Sequence, residues 1–384
     1  MTEWIECTLD KLGEIVGGAT PSTKCEDYYG GSIPWITPKD LSSFKGRYIT
    51  SGERNITEKG LASCSAQMMP KDAVLFTSRA PIGYVAIASQ SVCTNQGFKS
   101  IVVNEKADPL FVYYLLKYNK DAIEAMGSGT TFKEVSGKTM RAVKVRIPLD
   151  VSYQNRIVAV LDSLDTKIEN NERINDNLHQ QAATLFKALF VDLTPFDGTM
   201  PPNWTISTLG DATEMGAGGD KPKESSPVKT PLCPYPIYSN GINDYGLYGY
   251  TNDPKIKVES VTVSARGTIG YVCLRHTPYV PIVRLVTLIP DTKVLSAKYL
   301  YLYLRQLHIT GTGTTQQQLT VPDFRKTEII IPDKNTMDSF TETVTPLFEQ
   351  IWANEDENTK LAEVRDALLP KLMSGEIDVS DIQL

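Results

Sequence analysis

Histidine is scarce: the 384 residues include three, His179, His276 and His308. None has a second His or Cys at zinc-ligand spacing, so no structural zinc site is expected. The six cysteines (Cys7, Cys25, Cys64, Cys93, Cys233, Cys273) lie far apart and never form C-x-x-C. In a chain long enough to bury a core, that pattern predicts reduced, structural thiols rather than disulfide staples. No run approaches the roughly 20 apolar residues that cross a bilayer. The first residues, Met1-Thr2-Glu3-Trp4, lack the basic and apolar regions of a signal peptide, so a cytosolic chain that avoids the membrane is expected. Basic charge is short as well, with 39 Lys and Arg against 45 Asp and Glu and a net charge of −6, which argues against a nucleic-acid binder if the charge is spread evenly. It is not spread evenly. Residues 1–148 carry +3 and 191–332 carry +1, while 149–190 carry −2 and 333–384 carry −8. The acidic tail, led by Glu355-Asp356-Glu357, reads as a solvated helix face or a partner surface.

The chain repeats itself with a period of about 184 residues, a signal that outranks local secondary structure. Ser78-Arg79-Ala80-Pro81-Ile82-Gly83-Tyr84-Val85 returns as Ala265-Arg266-Gly267-Thr268-Ile269-Gly270-Tyr271-Val272, each copy after a β-rich run. Gly127-Ser128-Gly129-Thr130-Thr131 returns as Gly311-Thr312-Gly313-Thr314-Thr315, and each is followed by a strand ending in Ile-Pro, at 143–148 and 328–332. Trp4 with Thr8-Leu9 matches Trp204 with Thr208-Leu209. Both tryptophans are expected in cores. One modest helix is expected in each copy, over 109–118 and 296–308, among Val, Ile, Thr and Tyr-rich strand signals.

A long helix follows each Ile-Pro. Proline is absent from 151 to 194, and Leu161, Leu164, Ile168, Ile174, Leu178, Ala182, Leu185 and Leu189 recur at steps that suit a coiled coil. The second stripe runs Phe340, Val344, Leu347, Ile351, Leu361, Val364, Leu368 and Leu372, with Pro346 and Pro370 expected to kink or end it. Asn171 and Asn354 interrupt the stripes at equivalent places. They either face each other and set the register of the pair or point to water. The expected architecture is α+β: two tandem mixed α/β globular domains (1–150 and 194–333) alternating with two long spacer helices (151–193 and 334–384). The helices form an antiparallel coiled coil with an internal pseudo-two-fold repeat, which suits a ligand with two half-sites such as duplex DNA.

This layout, together with Ile33-Pro34-Trp35-Ile36-Thr37 and Asp40-Leu41, Thr94-Asn95-Gln96-Gly97-Phe98, Tyr235-Pro236-Ile237-Tyr238-Ser239-Asn240-Gly241 and both Gly-x-Gly-Thr-Thr loops, resembles the specificity subunit of type I restriction-modification enzymes. The resemblance implies two target-recognition domains, each reading half of a gapped site in double-stranded DNA. It also implies spacers that dock two adenine methyltransferase subunits and an assembly completed by restriction subunits. The chain itself would perform no chemistry and hold no cofactor; S-adenosylmethionine, ATP and Mg²⁺ would belong to the partners.

Bases are read by Arg, Asn, Gln, Ser and Thr, and phosphates by Lys, Arg and backbone amides. On that ground the candidate DNA-binding residues of the first domain are Thr37, Lys39, Ser78, Arg79, Asn95, Gln96, Lys99, Ser128, Thr130, Thr131 and Lys133. Those of the second are Ser239, Asn240, Asn243, Arg266, Thr312, Thr314, Thr315, Gln316, Gln317 and Gln318. Each has the structural alternative of a turn or cap residue. Arg79 and Arg266 recur while the two recognised sequences should differ, which favours scaffold or phosphate roles for them. Ser136-Gly137-Lys138-Thr139 resembles the end of a P-loop, but Phe132 stands where that loop needs glycine. Neither an Asn-Pro-Pro-aromatic motif nor a glycine-rich cofactor loop is present, and no local pattern suggests a Ser-His-Asp triad. A coiled-coil scaffold without DNA specificity and a self-contained nuclease are the alternatives.

Overall fold

The computed structural model describes residues 3–79, 81–129, 133–311 and 318–382. They form two compact units, residues 1–172 with 355–384 and residues 173–354. Two long helices, Val151–Phe186 and Lys334–Ser374, contribute a segment to each unit.

In the first unit Trp4–Thr8 pairs antiparallel with Lys144–Pro148. A five-stranded sheet has the order Gly13–Gly17, Lys99–Val103, Val74–Ser78, Ile82–Ala88 and Tyr48–Ile49. Its first four strands are antiparallel and the short edge strand runs parallel to its neighbour. The helix Pro109–Tyr118 covers this sheet. Asp108 caps it by accepting from the N–H groups of Leu110 and Phe111, and Pro109 occupies the first turn, where no N–H is needed. Its residues Phe111 to Leu116 are all buried, in one core with Leu9, Ile101, Ile157 and Leu161.

The second unit repeats the plan. Thr205–Thr208 pairs antiparallel with Glu328–Ile331. A four-stranded antiparallel sheet has the order Thr213–Ala217, Val286–Pro290, Ser260–Val263, Val272–Arg275, the same order as the first four strands of the other unit. The helix Ala297–Gln306, capped by Ser296, packs on it. A second small sheet joins Ser225–Ser226, Leu247–Thr251, Tyr235–Tyr238 and Val280–Pro281. Trp204 is buried, with its indole N–H donating to Asp333. Trp4 lies instead at the rim of its core, edge-on to Tyr153 and beneath the Arg146 guanidinium.

Within each unit the two helix segments run antiparallel, as Asp165 with Arg365 and Asn171 with Asn358 mark in one and Phe186 with Phe340 and Asn175 with Asn354 in the other. The buried stripe of the first helix steps by three and four through Gln154, Ile157, Leu161, Asp165, the half-buried Ile168, Asn171, Asn175, the half-buried Leu178, Ala182 and Phe186. The apolar count had placed Ile174, Leu185 and Val364 in the stripes, but all three are exposed. Keeping the heptad step requires polar residues in the seam. Neither proline ends the second helix, which runs on to Ser374 through Pro346 and Pro370. Both prolines and the residues four before them, Glu342 and Asp366, are exposed. The carbonyls that lose their N–H partner can therefore be solvated, which lowers the penalty of an interior proline.

Asn171 and Asn354 are buried, at 1% and 5% exposure, and neither takes the other as partner. The Asn171 amide donates to Asn358 Oδ1 at 2.8 Å and to Glu357 at 2.7 Å. The Asn354 amide donates to Asn175 Oδ1 at 2.7 Å. Asn358 and Asn175 in turn donate to the carbonyls of Ile168 and Ile351. Two bonds recur in both sets, Asn171 to Asn358 with Asn354 to Asn175 and Asn358 to Ile168 with Asn175 to Ile351; the Glu357 bond belongs to the first set alone. Neither the facing pair nor solvent exposure describes them, because an amide in a dry seam needs a partner and a second Asn on the opposite helix supplies it. All six cysteines are free, and among the described residues no helix is long and apolar enough to cross a membrane.

Candidate nucleic-acid interface

The first-unit candidates gather on neighbouring loops at the ends of the sheet strands. Thr37 precedes the short helix Pro38–Ser42, and its N–H and hydroxyl both donate to Asp40, at 2.7 and 2.6 Å. Lys39 is exposed and pairs with Glu53 at 2.6 Å, which holds its ammonium protonated above the ordinary lysine range. Asn95 closes a turn by accepting from the Gly97 N–H, and the carboxamide of Gln96 accepts from Thr20. Gly97 lies close against Pro38, and its carbonyl accepts from the Ser78 N–H and hydroxyl. These bonds join the 37–40, 95–97 and 78–79 loops into one surface.

Beside it, Glu134 faces both Arg79 (3.5 Å) and Lys99 (3.7 Å). Its backbone exchanges two hydrogen bonds with Ser128, which fixes the neck of the 128–134 loop. Ser128 and Lys133 are exposed on that loop. An incoming phosphate would compete with Glu134 for the two cations. Ser78 has 0% exposure and cannot reach a ligand from this conformation. Asn95 is occupied as a turn-former, so Lys39, Gln96, Arg79, Lys133 and Ser128 are the accessible members. Thr130 and Thr131 lie outside the described residues.

In the second unit Asn240 is fully engaged. Its amide donates to the Val283 carbonyl at 2.6 Å, its Oδ1 accepts from the Ala265 N–H at 2.7 Å, and its own carbonyl accepts from the Ser264 hydroxyl. The role is structural, because this side chain pins three loops together. The Ser239 N–H donates to the Gly246 carbonyl, while Asn243 is exposed. Arg266 donates to the Gln318 carboxamide at 3.0 Å. Thr312, Thr314, Thr315, Gln316 and Gln317 lie outside the described residues.

The structure adds residues that sequence reasoning missed. Asp244 and Tyr245 (φ +46° and +55°) and Val283 and Arg284 (φ +52° and +61°) all adopt the left-handed conformation. A valine there is an outlier that surrounding structure must enforce. Arg284, next to Asn240's partner Val283, and Tyr245 are both exposed. Nothing in composition or spacing flags a β-branched residue at positive φ, so no sequence signal could have found them. Glu134 carries no base- or phosphate-reading chemistry of its own, so the sequence does not single it out, although it holds Arg79 and Lys99.

The comparisons with known proteins match this layout. The family described as the type I restriction modification DNA specificity domain matches residues 1–180 and 201–363, one match for each copy of the repeat. The specificity subunit of the type I restriction enzyme MjaIX from Methanocaldococcus jannaschii is 33% identical over 415 residues, covering 99% of this chain and 95% of that one. The HindI specificity subunit of Haemophilus influenzae is 25% identical, covering 73% of this chain and 80% of that one. Among solved structures, the S subunit of a type I restriction-modification system from M. genitalium shares the fold with a TM-score of 0.60 at 16% identity, over 97% of this chain and 96% of that one. With a family match in each half and a relative aligned along nearly the full length, the chain belongs to the DNA specificity subunits of type I restriction-modification systems.

Proposed function

We propose that this chain reads a bipartite, gapped site in double-stranded DNA, one half with each unit, and docks two adenine methyltransferase subunits and the restriction subunits along its long helices. In this reading it performs no chemistry of its own and works in the cytoplasm; S-adenosylmethionine, ATP and Mg²⁺ are handled by its partners. The observation that carries the reading is the duplication: one strand order, one capping helix and one asparagine pair occur in each unit, while the loops between them are built differently. A repeated frame with unlike loops is what two different half-sites call for. The bases are read from Lys39, Gln96, Ser128 and Lys133 and their loops in the first unit and from the loops around Asn240 in the second, with Arg79 and Arg266 as scaffold or phosphate contacts. The paired asparagines, Asn171 with Asn358 and Asn354 with Asn175, set the helix register.

Two experiments test it. A single-molecule map of N6-methyladenine in host DNA, with the gene intact and deleted, should lose one gapped, asymmetric motif on deletion; an unchanged map would remove the reading and favour a scaffold. Inserting four helical residues between Asn171 and Leu178 adds about 6 Å at 1.5 Å per residue. It should lengthen the gap by roughly two base pairs at about 3.4 Å each while both half-sites stay the same. Altered half-sites would contradict it. Cleavage of DNA by the purified chain with Mg²⁺ alone would point to a nuclease instead.

A further inference from the structure

Arg275 ends the strand Val272–Arg275 and is buried, at 6% exposure. Its Nη2 donates to the Tyr245 carbonyl at 2.7 Å and its Nε to the Thr262 hydroxyl at 2.9 Å, and its guanidinium lies 3.6 Å from the centre of the Tyr238 ring. Among the described residues no carboxylate stands at ion-pair distance from it. A buried cation is tolerated only where its donors are satisfied, and here a strained loop satisfies it: Tyr245 and the preceding Asp244 are left-handed, and Tyr238 flanks the site. A second left-handed pair, Val283 and Arg284, is fixed by its own set of bonds. The Val283 N–H and Arg284 N–H donate to the carbonyls of Gly219 and Gly218, and the Val283 carbonyl accepts from Asn240. Both strained pairs are thus held by buried or engaged groups, while Asn243, Tyr245 and Arg284 are exposed.

We propose that Asn243, Tyr245 and Arg284 form the base-reading edge of the second unit and that Arg275 is the positioning residue that holds it. The chemistry suits an edge in the major groove, since Arg284 offers a planar fork for guanine, Asn243 an amide for adenine and the Tyr245 ring an apolar face. The proposal rests on the two-half-site reading above and adds which side chains do the reading.

The test replaces the chromosomal gene with Arg284→Ala, Arg275→Lys or a deletion and maps N6-methyladenine in each strain. Arg284→Ala, at an exposed position where folding is not at stake, should relax one base position by roughly tenfold or more in discrimination, with the other half-site unchanged. Arg275→Lys keeps the charge and loses the fork, and it should blur two or more positions confined to that same half. A map in which the Arg284→Ala motif is unchanged overturns the proposal. So does a uniform drop in methylation under Arg275→Lys with every base preference kept, because that is the signature of a merely structural arginine. Failure of the deletion to remove any motif would instead strike the two-half-site reading itself.

Discussion

Replacing Asp165 by leucine probes how the first unit is fastened to its helices. Asp165 is buried at 6% exposure, accepts from the Tyr114 hydroxyl at 2.6 Å and pairs with Arg365 at 2.7 Å, so one carboxylate joins the helix Pro109–Tyr118 to both long helices. Burial and the neighbouring carboxylate push the Tyr114 hydroxyl far above its ordinary pKa, so it remains a donor at any working pH. Leucine would leave a buried hydroxyl without an acceptor and a mostly buried guanidinium short of one. Breaking a buried pair from one side costs about 3–5 kcal/mol, and the lower end applies because Arg365 keeps some access to water and a second carboxylate, Asp366. A loss of ~3 kcal/mol lowers the melting temperature by about 6–12 °C for a unit of this size. By the equivalence that matches Asn171 with Asn354, Asp165 corresponds to Phe348 and Arg365 to Ala182, so the second unit fills the same place with an apolar pair, Phe348 packed edge-on to Tyr301. Removing both charges, Asp165→Leu with Arg365→Leu, should therefore recover most of the loss and give a coupling of about 2–3 kcal/mol in a double-mutant cycle followed by calorimetry and urea unfolding. A single Asp165→Leu within about 0.5 kcal/mol of the parent, or a double variant as unstable as the single one, would refute the reasoning.

The asparagine seam behaves alike on a smaller scale. Asn354→Leu leaves the buried Asn175 Oδ1 without its donor and should cost about 1–2 kcal/mol in urea unfolding, and Asn175→Leu added to it should return the loss. Gly375 ends the second long helix at φ +78°, where a Cβ would stand 2.9 Å from the Trp4 indole. Gly375→Ala should therefore destabilise by at least about 1 kcal/mol, measured by thermal unfolding. His179 packs against Phe348, and burial, aided by Arg305, lowers its pKa. The unfolded chain then binds a proton more readily, so stability is full above about pH 6.5 and falls as the pH drops below it. His179→Leu should flatten that slope; an unchanged slope would exclude His179 as its source.

Much of the frame was legible because periodicity and duplication are long-range signals that no single residue can hide. The helix at Pro109–Tyr118, the strands ending in Ile-Pro and both long helices sit where the repeat puts them. The seam was misread where an apolar count meets a polar heptad position. Skipping Asn171 and Asn175 moved the stripe onto Ile174, which is exposed, because a residue's partner across the helix pair is invisible within one helix. Pro346 and Pro370 failed as stop signals because the local rule knows the lost N–H and not the solvent beside the orphaned carbonyl. The loops were the least legible: Ser78 and Asn240 carry the right chemistry for base contact, yet one is buried and the other is consumed by three loop bonds.

If each unit reads one half-site, as proposed, the shared frame and the loops carry different duties. The shared parts, namely sheet order, capped helix and seam, rest on backbone pairing and apolar burial, which tolerate substitution at the exposed loops. The loops are fastened by unlike means. In the first unit exposed or half-exposed ion pairs, Lys39 with Glu53 and Arg79 and Lys99 with Glu134, supplement the turn and backbone hydrogen bonds; in the second a buried arginine, an engaged asparagine and left-handed backbone do so. Ion pairs at that exposure are worth less than about 1 kcal/mol and weaken with salt, whereas the second unit's fastening is mostly shielded from solvent. Raising the ionic strength should therefore erode discrimination at the first unit's half-site sooner than at the second's, beyond the common loss of phosphate affinity. Methylation of duplexes carrying one mismatch in either half, by the chain assembled with its methyltransferase partner between about 50 and 300 mM salt, measures this directly; equal erosion of both halves would show that fastening chemistry does not set the fidelity of reading.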